Sequence, residues 1–245
     1  ILSILIVILL SFSYFIKDFQ LDASSDTLLI ENDPDLKYLR EVNSTYGSKD
    51  FFVLTYSPIK DLLSDDTIKN LTQLKNDLAK LKWSSNVITI LDVPLLKNND
   101  DPLSERIKNF KTLSSNDVNK KRGFDEIINS PIYKDFVISS DGKTSGIIIY
   151  IKKDEKMSEL INKKNINLEK IDKKIINDQE SKEYKKFLKS YDSYKKLYNQ
   201  KNHQQVKEIR IIIEKYKNSA KIHLGGIPMI ADDMMTYVKN DIIVF

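Results

Sequence analysis

Cysteine is absent from the 245 residues, and histidine occurs only twice. Without a thiol there is no disulfide framework, no Cys-ligated zinc, no iron–sulfur cluster and no thiol nucleophile. The two imidazoles, His203 and His223, are not at ligand spacing. Each is read as a structural or surface residue, with His203 at the start of a helix and His223 in a strand. Also missing are a glycine-rich phosphate loop, an HExxH pair and a nucleophile elbow. No catalytic, cofactor-binding or metal-ligating residue is assigned, and no enzymatic activity is expected. A strong excess of one charge is lacking as well: 39 Lys and Arg stand against 35 Asp and Glu, a net charge of +4, with the signs interleaved along the chain. A nucleic-acid binder gathers its basic residues on one face, so nucleic acid is not expected as a partner.

What is present divides the chain into a hydrophilic body and two apolar ends. A mean hydropathy of −0.38 excludes a wholly membrane-embedded protein, and 41% hydrophobic residues exclude a mostly disordered one. Residues Ile1 to Ile16 read ILSILIVILLSFSYFI, without a charge or a helix breaker. A bilayer core takes about 20 apolar residues in a helix, so this run is expected to be a transmembrane helix whose front is missing, over residues 1–17. A cleaved signal would need a basic leader and a small-x-small site, neither of which is visible, so a retained anchor is expected. At the other end Ile242, Ile243, Val244 and Phe245 follow Asp241, as the first turn of a second span would, so residues 229–245 are expected to be a helix leading into that truncated span. A loop this long crosses a membrane whatever its charge, so the positive-inside rule does not orient it.

Between these ends, Asp33-Pro34 starts a helix with an N-cap and a first-turn proline, carrying Leu36, Leu39 and Val42 and ending at Gly47. The run Phe51 to Tyr56 (FFVLTY) predicts a buried strand. Ser64 or Asp65 caps a helix with the stripe Ile68, Leu71, Leu74, Leu78 and Leu81, and Asn86 to Val93 predicts the next strand, completing a βαβ unit. Residues 97–129 are polar, and helical or looped. Asp135 to Ser139 is expected to pair with Thr144 to Lys152 as a hairpin across Ser140-Asp141-Gly142-Lys143. A Lys-rich stretch with a Tyr, Phe and Leu stripe, residues 155–200, predicts a helical hairpin that buries its aromatics and leaves its lysines in water. Val206, Ile209, Ile213 and Tyr216 mark a last helix, and Lys221 to Leu224 a last strand stopped by Gly225-Gly226. The fold class read from this order is α+β: a ferredoxin-like (βαββαβ) domain over 50–154 and 201–228, preceded by a linker and helix at 18–49, with residues 155–200 as a long insertion.

Asp22, Asp26, Glu31, Asp33 and Asp35 form an acidic stretch beyond the first apolar run, for which capping and solvation suffice without calcium. Asp232 and Asp233 precede the last apolar residues. The sequons at Asn43 and Asn70 matter only in a eukaryotic secretory pathway.

The stretch LDASSDTLLIENDPDLKYLREVNSTYGSKDFFVLTY, the later LDVPLL, the segment SPIYKDFVISSDGKTSGIIIYIK and the closing HLGGIPMIADDMMTYVKNDIIVF occur in an order that resembles the RND (resistance-nodulation-division) superfamily of exporters, in particular its MMPL-type branch. The resemblance implies a first span, a first extracytoplasmic loop forming a porter domain, and the start of a second span. It implies an inner-membrane location with the loop facing the periplasm or cell exterior, and proton-coupled export of lipids or hydrophobic compounds. The expected partners are the lipid bilayer, a hydrophobic or lipid substrate, the remaining spans and second loop of the same polypeptide, and a homo-oligomer. Gly225, Gly226, Pro228, Asp232 and Asp233 are the candidate residues coupling loop to membrane, with Pro228 limiting the freedom of the connection. The alternative is an extracytoplasmic ligand-sensing domain of a two-span receptor. An anchored binding module and a coiled-coil structural protein stand behind it.

Overall fold

A computed structural model of the chain describes residues 33–46, 50–97, 102, 104 and 109–244. The expected first span, the acidic residues Asp22, Asp26 and Glu31, and Phe245 lie outside the described residues. Among the described residues, six α-helices and four strands follow in the order α1 (Pro34–Tyr46), β1 (Phe51–Pro58), α2 (Asp65–Ala79), β2 (Ser84–Ile88), α3 (Lys120–Ile128), β3 (Ser145–Ile151), α4 (Glu155–Asp172), α5 (Asp178–Glu214), β4 (Ala220–Gly225) and α6 (Ile227–Val244). The protein is a mixed α+β chain. Its contacts separate one unit, Gly47–Asp232, which contains the sheet, from a second made of Ile1–Tyr46 and Asp233–Phe245, in which α1 and the last part of α6 fall. In α1, the Asp33 side chain accepts the Asp35 backbone N–H at 2.8 Å and so caps the helix.

The sheet runs β2-β3-β1-β4, and every neighbouring pair is antiparallel. The pleat sorts the side chains of β1: Phe52, Leu54 and Tyr56 are fully buried, whereas Phe51 and Thr55 are exposed. Across the ladder, Ile147 and Ile149 of β3 lie opposite Leu54 and Phe52 and complete the buried face. On that face sit Leu71, Leu74 and Leu78 of α2, at the helical spacing the sequence predicts, together with Val206, Ile209 and Ile212 of α5. Burying each such side chain contributes roughly 1.5–3 kcal/mol before entropy is charged against it. Ser64 is the N-cap of α2, accepting the Thr67 N–H. Tyr216, just past α5, donates its hydroxyl to Asp77 of α2 at 2.9 Å; burial and then that carboxylate push its pKa up to about 12.

Three expected elements differ. The second strand ends at Ile88, not Val93, because Thr89 and Asp92 form a capping box on a single 3-10 turn, Ile90–Asp92. Residues 135–139 are not a strand of a hairpin. Both edges of β3 are occupied, by β1 and by β2, so the segment meets β3 only at its start, through a single antiparallel bridge between Ile138 and Ser145. The tight reversal itself is present, with Gly142 at φ 68°. Finally, α5 runs unbroken from Asp178 to Glu214, so the Lys- and Tyr-rich stretch and the last helix of the domain are one element.

Leu74 is fully buried and Ile211 on α5 is 64% exposed. Leu74→Ala is expected to destabilise the chain by about 2–5 kcal/mol, and Ile211→Ala by no more than about 0.5 kcal/mol, measured as shifts of the urea midpoint.

Candidate functional site

Four of the five candidate residues, Gly225, Gly226, Pro228 and Asp232, lie in the sheet unit, where the chain leaves β4. Gly225 closes β4 opposite Val53. Gly226 has φ +111°, and a Cβ placed there would come 3.0 Å from the Phe51 carbonyl oxygen and 3.3 Å from Phe52 Cα. Only glycine meets both the left-handed backbone and the close approach of β1. The Ile230 N–H donates to the Gly226 carbonyl at 3.0 Å and opens α6. Pro228 is the second residue of that helix, where its missing N–H would have had no helical acceptor. The connection is thus a tight, conformationally restricted turn from strand to helix.

Asp232, one turn further on, is buried, and both its carboxylate oxygens lie near His203 Nδ1, at 2.9 and 3.0 Å. An ionised carboxylate only accepts, which assigns the ring proton to Nδ1. His203 is not at a helix start but in the middle of α5, so the pair ties the exit helix to the longest helix of the domain. Asp233 belongs to the other unit and engages other groups. His223 sits in β4 opposite Thr55 on the face away from the core.

A second polar cluster stands at the same end and carries no recognisable sequence signal. Asp154 caps α4 by accepting the Met157 N–H at 3.0 Å. It also accepts Tyr194 Oη at 2.8 Å and Lys201 Nζ at 2.9 Å from α5. Tyr198 Oη donates to Asp50, just before β1, at 2.8 Å. Burial raises the Asp154 carboxyl, but the Lys201 ammonium, the Met157 N–H and the Tyr194 hydroxyl outweigh it and hold its pKa below the ordinary aspartate value. Its partners shift the other way: the bond to Asp154 raises the Tyr194 phenol and the Lys201 ammonium. Burial, then Asp50, raises Tyr198. These bonds fix the base of the α4–α5 pair, whose own small core of Met157, Tyr184, Phe187 and Tyr191 is separate from that of the sheet. Lysines cover its rings, with Lys156 Nζ 4.6 Å from the Tyr194 centroid and Lys163 Nζ 5.1 Å from that of Phe187. Among the described residues no three His, Asp or Glu side chains converge to hold a metal ion.

Replacing Gly226 with Ala is expected to cost more than about 1 kcal/mol in thermal unfolding, since φ stays positive and the β1 backbone blocks the new methyl. Asp154→Ala removes a helix cap and is expected to cost about 1 kcal/mol. Because the folded carboxyl is depressed, its contribution is complete above the ordinary aspartate value near pH 4 and disappears as pH falls through the lower folded value. Urea midpoints taken from pH 6 to pH 3 should therefore fall less steeply in Asp154→Asn, which keeps the cap but cannot titrate.

Neither a protein-family model nor a curated protein matches the chain, so its chemistry rests on this geometry.

Proposed function

We propose that the chain is the extracytoplasmic porter loop of an RND/MMPL-type membrane exporter, with the spans that flank it, and that its sheet domain is ferredoxin-like. The strand order β2-β3-β1-β4, with α2 and α5 packed on one face, supports a split βαβ domain. The observation that carries the functional reading is the position of the chain's entry and exit. β1 begins at Phe51 and β4 ends at Gly225, and Val53 pairs with Gly225, so both connections stand at one end of the sheet. A domain looped out between two consecutive spans needs this arrangement, because both connections must return to one membrane surface. Among the described residues no helix is long and apolar enough to cross a membrane; the spans are proposed for the runs at 1–17 and from the end of α6 onward.

In this reading the domain moves as a body, and the Gly226 turn, Pro228 and the Asp232–His203 pair pass its movement to α6. Hydrophobic or lipid substrate would be guided past the domain, driven by proton flux through ionisable groups in later spans. The rival reading, a ligand-sensing domain between two spans, is favoured by one feature, an open polar groove of about 420 Å³ at the opposite end of the sheet, lined by Lys60, Asp66, Asn70, Gln73 and Asn218.

Reading the gene beyond Phe245 separates them. The exporter reading expects five closely spaced spans, an ionisable residue in the middle of the fourth span, and a second copy of this loop. A single span leading into a soluble signalling helix would contradict it. In the complete protein, Pro228→Gly is expected to lower transport at normal expression; unchanged transport would remove the coupling role.

A further inference from the structure

Lysine and acid alternate along residues 155–200, yet the folded helix separates them. That stretch holds 12 lysines against 8 acidic residues, an excess of +4 that equals the net charge of the whole chain. On α5, Lys182, Lys185, Lys186, Lys189 and Lys196 are all exposed. At 3.6 residues per turn they fall within an arc of about 100°, extending about 21 Å along the axis. Lys207 continues the same line. No acidic residue between Lys182 and Lys207 lies inside the arc, since Glu183 and Asp192 project to either side of it. The aromatic residues Tyr184, Phe187 and Tyr191 point the other way, into the small core shared with α4.

The direction of the arm singles out a partner. β3 ends at Ile151, paired with Ser84 and next to the Phe51–Tyr150 pair, so α4 departs from the end of the sheet where β1 begins and β4 ends. The later part of α5 lies on the sheet, and Tyr198 meets Asp50 at this same end. Being continuous, α5 carries its first half, from Asp178 to Tyr194, about 24 Å past that end. If both connections run into the bilayer, as the reading above has it, the arm reaches toward the membrane surface.

We propose that the lysine stripe of α5 docks on anionic lipid headgroups of the bilayer in which the chain is anchored, a proposal that rests on that membrane reading. Lysine ammonium groups act as point charges and suit headgroup phosphates without the bidentate geometry arginine supplies. The arc carries no aromatic side chain on which unpaired bases could stack. Docking there steadies the arm, and through the Asp154 and Asp50 contacts it holds the end of the sheet at a set height above the membrane.

The absence of cysteine allows a single reporter. Ser193 is exposed, within the stripe, and Ser193→Cys in the full chain takes one fluorophore. The labelled chain is reconstituted in vesicles of phosphatidylcholine alone or with phosphatidylglycerol, washed with carbonate and floated, and quenched with a neutral aqueous quencher. Quenching is expected to fall at least about three-fold with phosphatidylglycerol, and the protection to vanish in 1 M salt and when the five lysines are changed to Gln. Chain that floats but is quenched equally in both vesicles overturns the docking and leaves the membrane reading standing. Chain that fails to float after carbonate overturns the membrane reading and this proposal with it. Equal protection by inorganic phosphate or by an oligonucleotide added to phosphatidylcholine vesicles also overturns the lipid assignment.

Discussion

The insertion of β3 between β1 and β2 organises the rest of the domain, because a strand has only two edges and both are used. Ile147 and Ile149 then sit at the centre of the buried face, flanked by Phe52 and Leu54 on one side and Val87 on the other. With β3 taken on both sides, β1 and β2 run parallel to each other without touching and need a helix to connect them; α2 supplies it and covers the core. The same pairing leaves β1 one free edge, which β4 fills. It also brings the end of β4 beside the start of β1. Entry and exit of the chain at one end of the sheet thus follow from β4 filling that free edge antiparallel to β1.

The arm formed by α4 and the first half of α5 depends on a different kind of restraint. Its apolar core is small, and besides the unbroken α5 it is held to the sheet domain by polar contacts centred on Asp154 and Asp50. The Asp154 contacts combine a helix cap, a phenol and an ammonium around a carboxyl whose pKa is lowered, so their strength varies with pH where the core of the sheet does not. The turn at Gly226 restrains the exit helix by sterics alone, and the Asp232–His203 pair adds a hydrogen-bonded tie to α5. The end of the sheet that the chain enters and leaves is therefore also where the arm and the exit helix are fastened.

Much of the core was legible in the sequence because it depends on periodicity. The alternation in FFVLTY, the Leu71, Leu74 and Leu78 spacing, the Ser64 cap and the Gly225-Gly226 stop all correspond to observed features. Pairing was less legible. Asp135 to Ser139 has the pattern of a hairpin strand and the correct turn beside it, but competition from β1 and β2 for the edges of β3 lies far away in sequence. The continuity of α5 was hidden because its stripe changes from aromatic to aliphatic near residue 200, which imitates a boundary. His203 and Asp232, separated by a strand and a turn, give no local sign of meeting, and the hydrogen bonds of Asp154 join residues up to 47 apart. The charge separation on α5 becomes visible only once the helical register is fixed.

The proposed role stands on the sheet domain lying outside the cell membrane with its two connections returning to it. Asn218→Cys, in the exposed turn before β4, provides the test, with any cysteine outside these 245 residues replaced by Ser so that the label is unique. The complete protein in intact spheroplasts would be treated with a membrane-impermeant maleimide, and the labelling compared with that after lysis. Equal labelling before and after lysis is the predicted result; labelling only after lysis would place the domain in the cytoplasm and contradict the proposal.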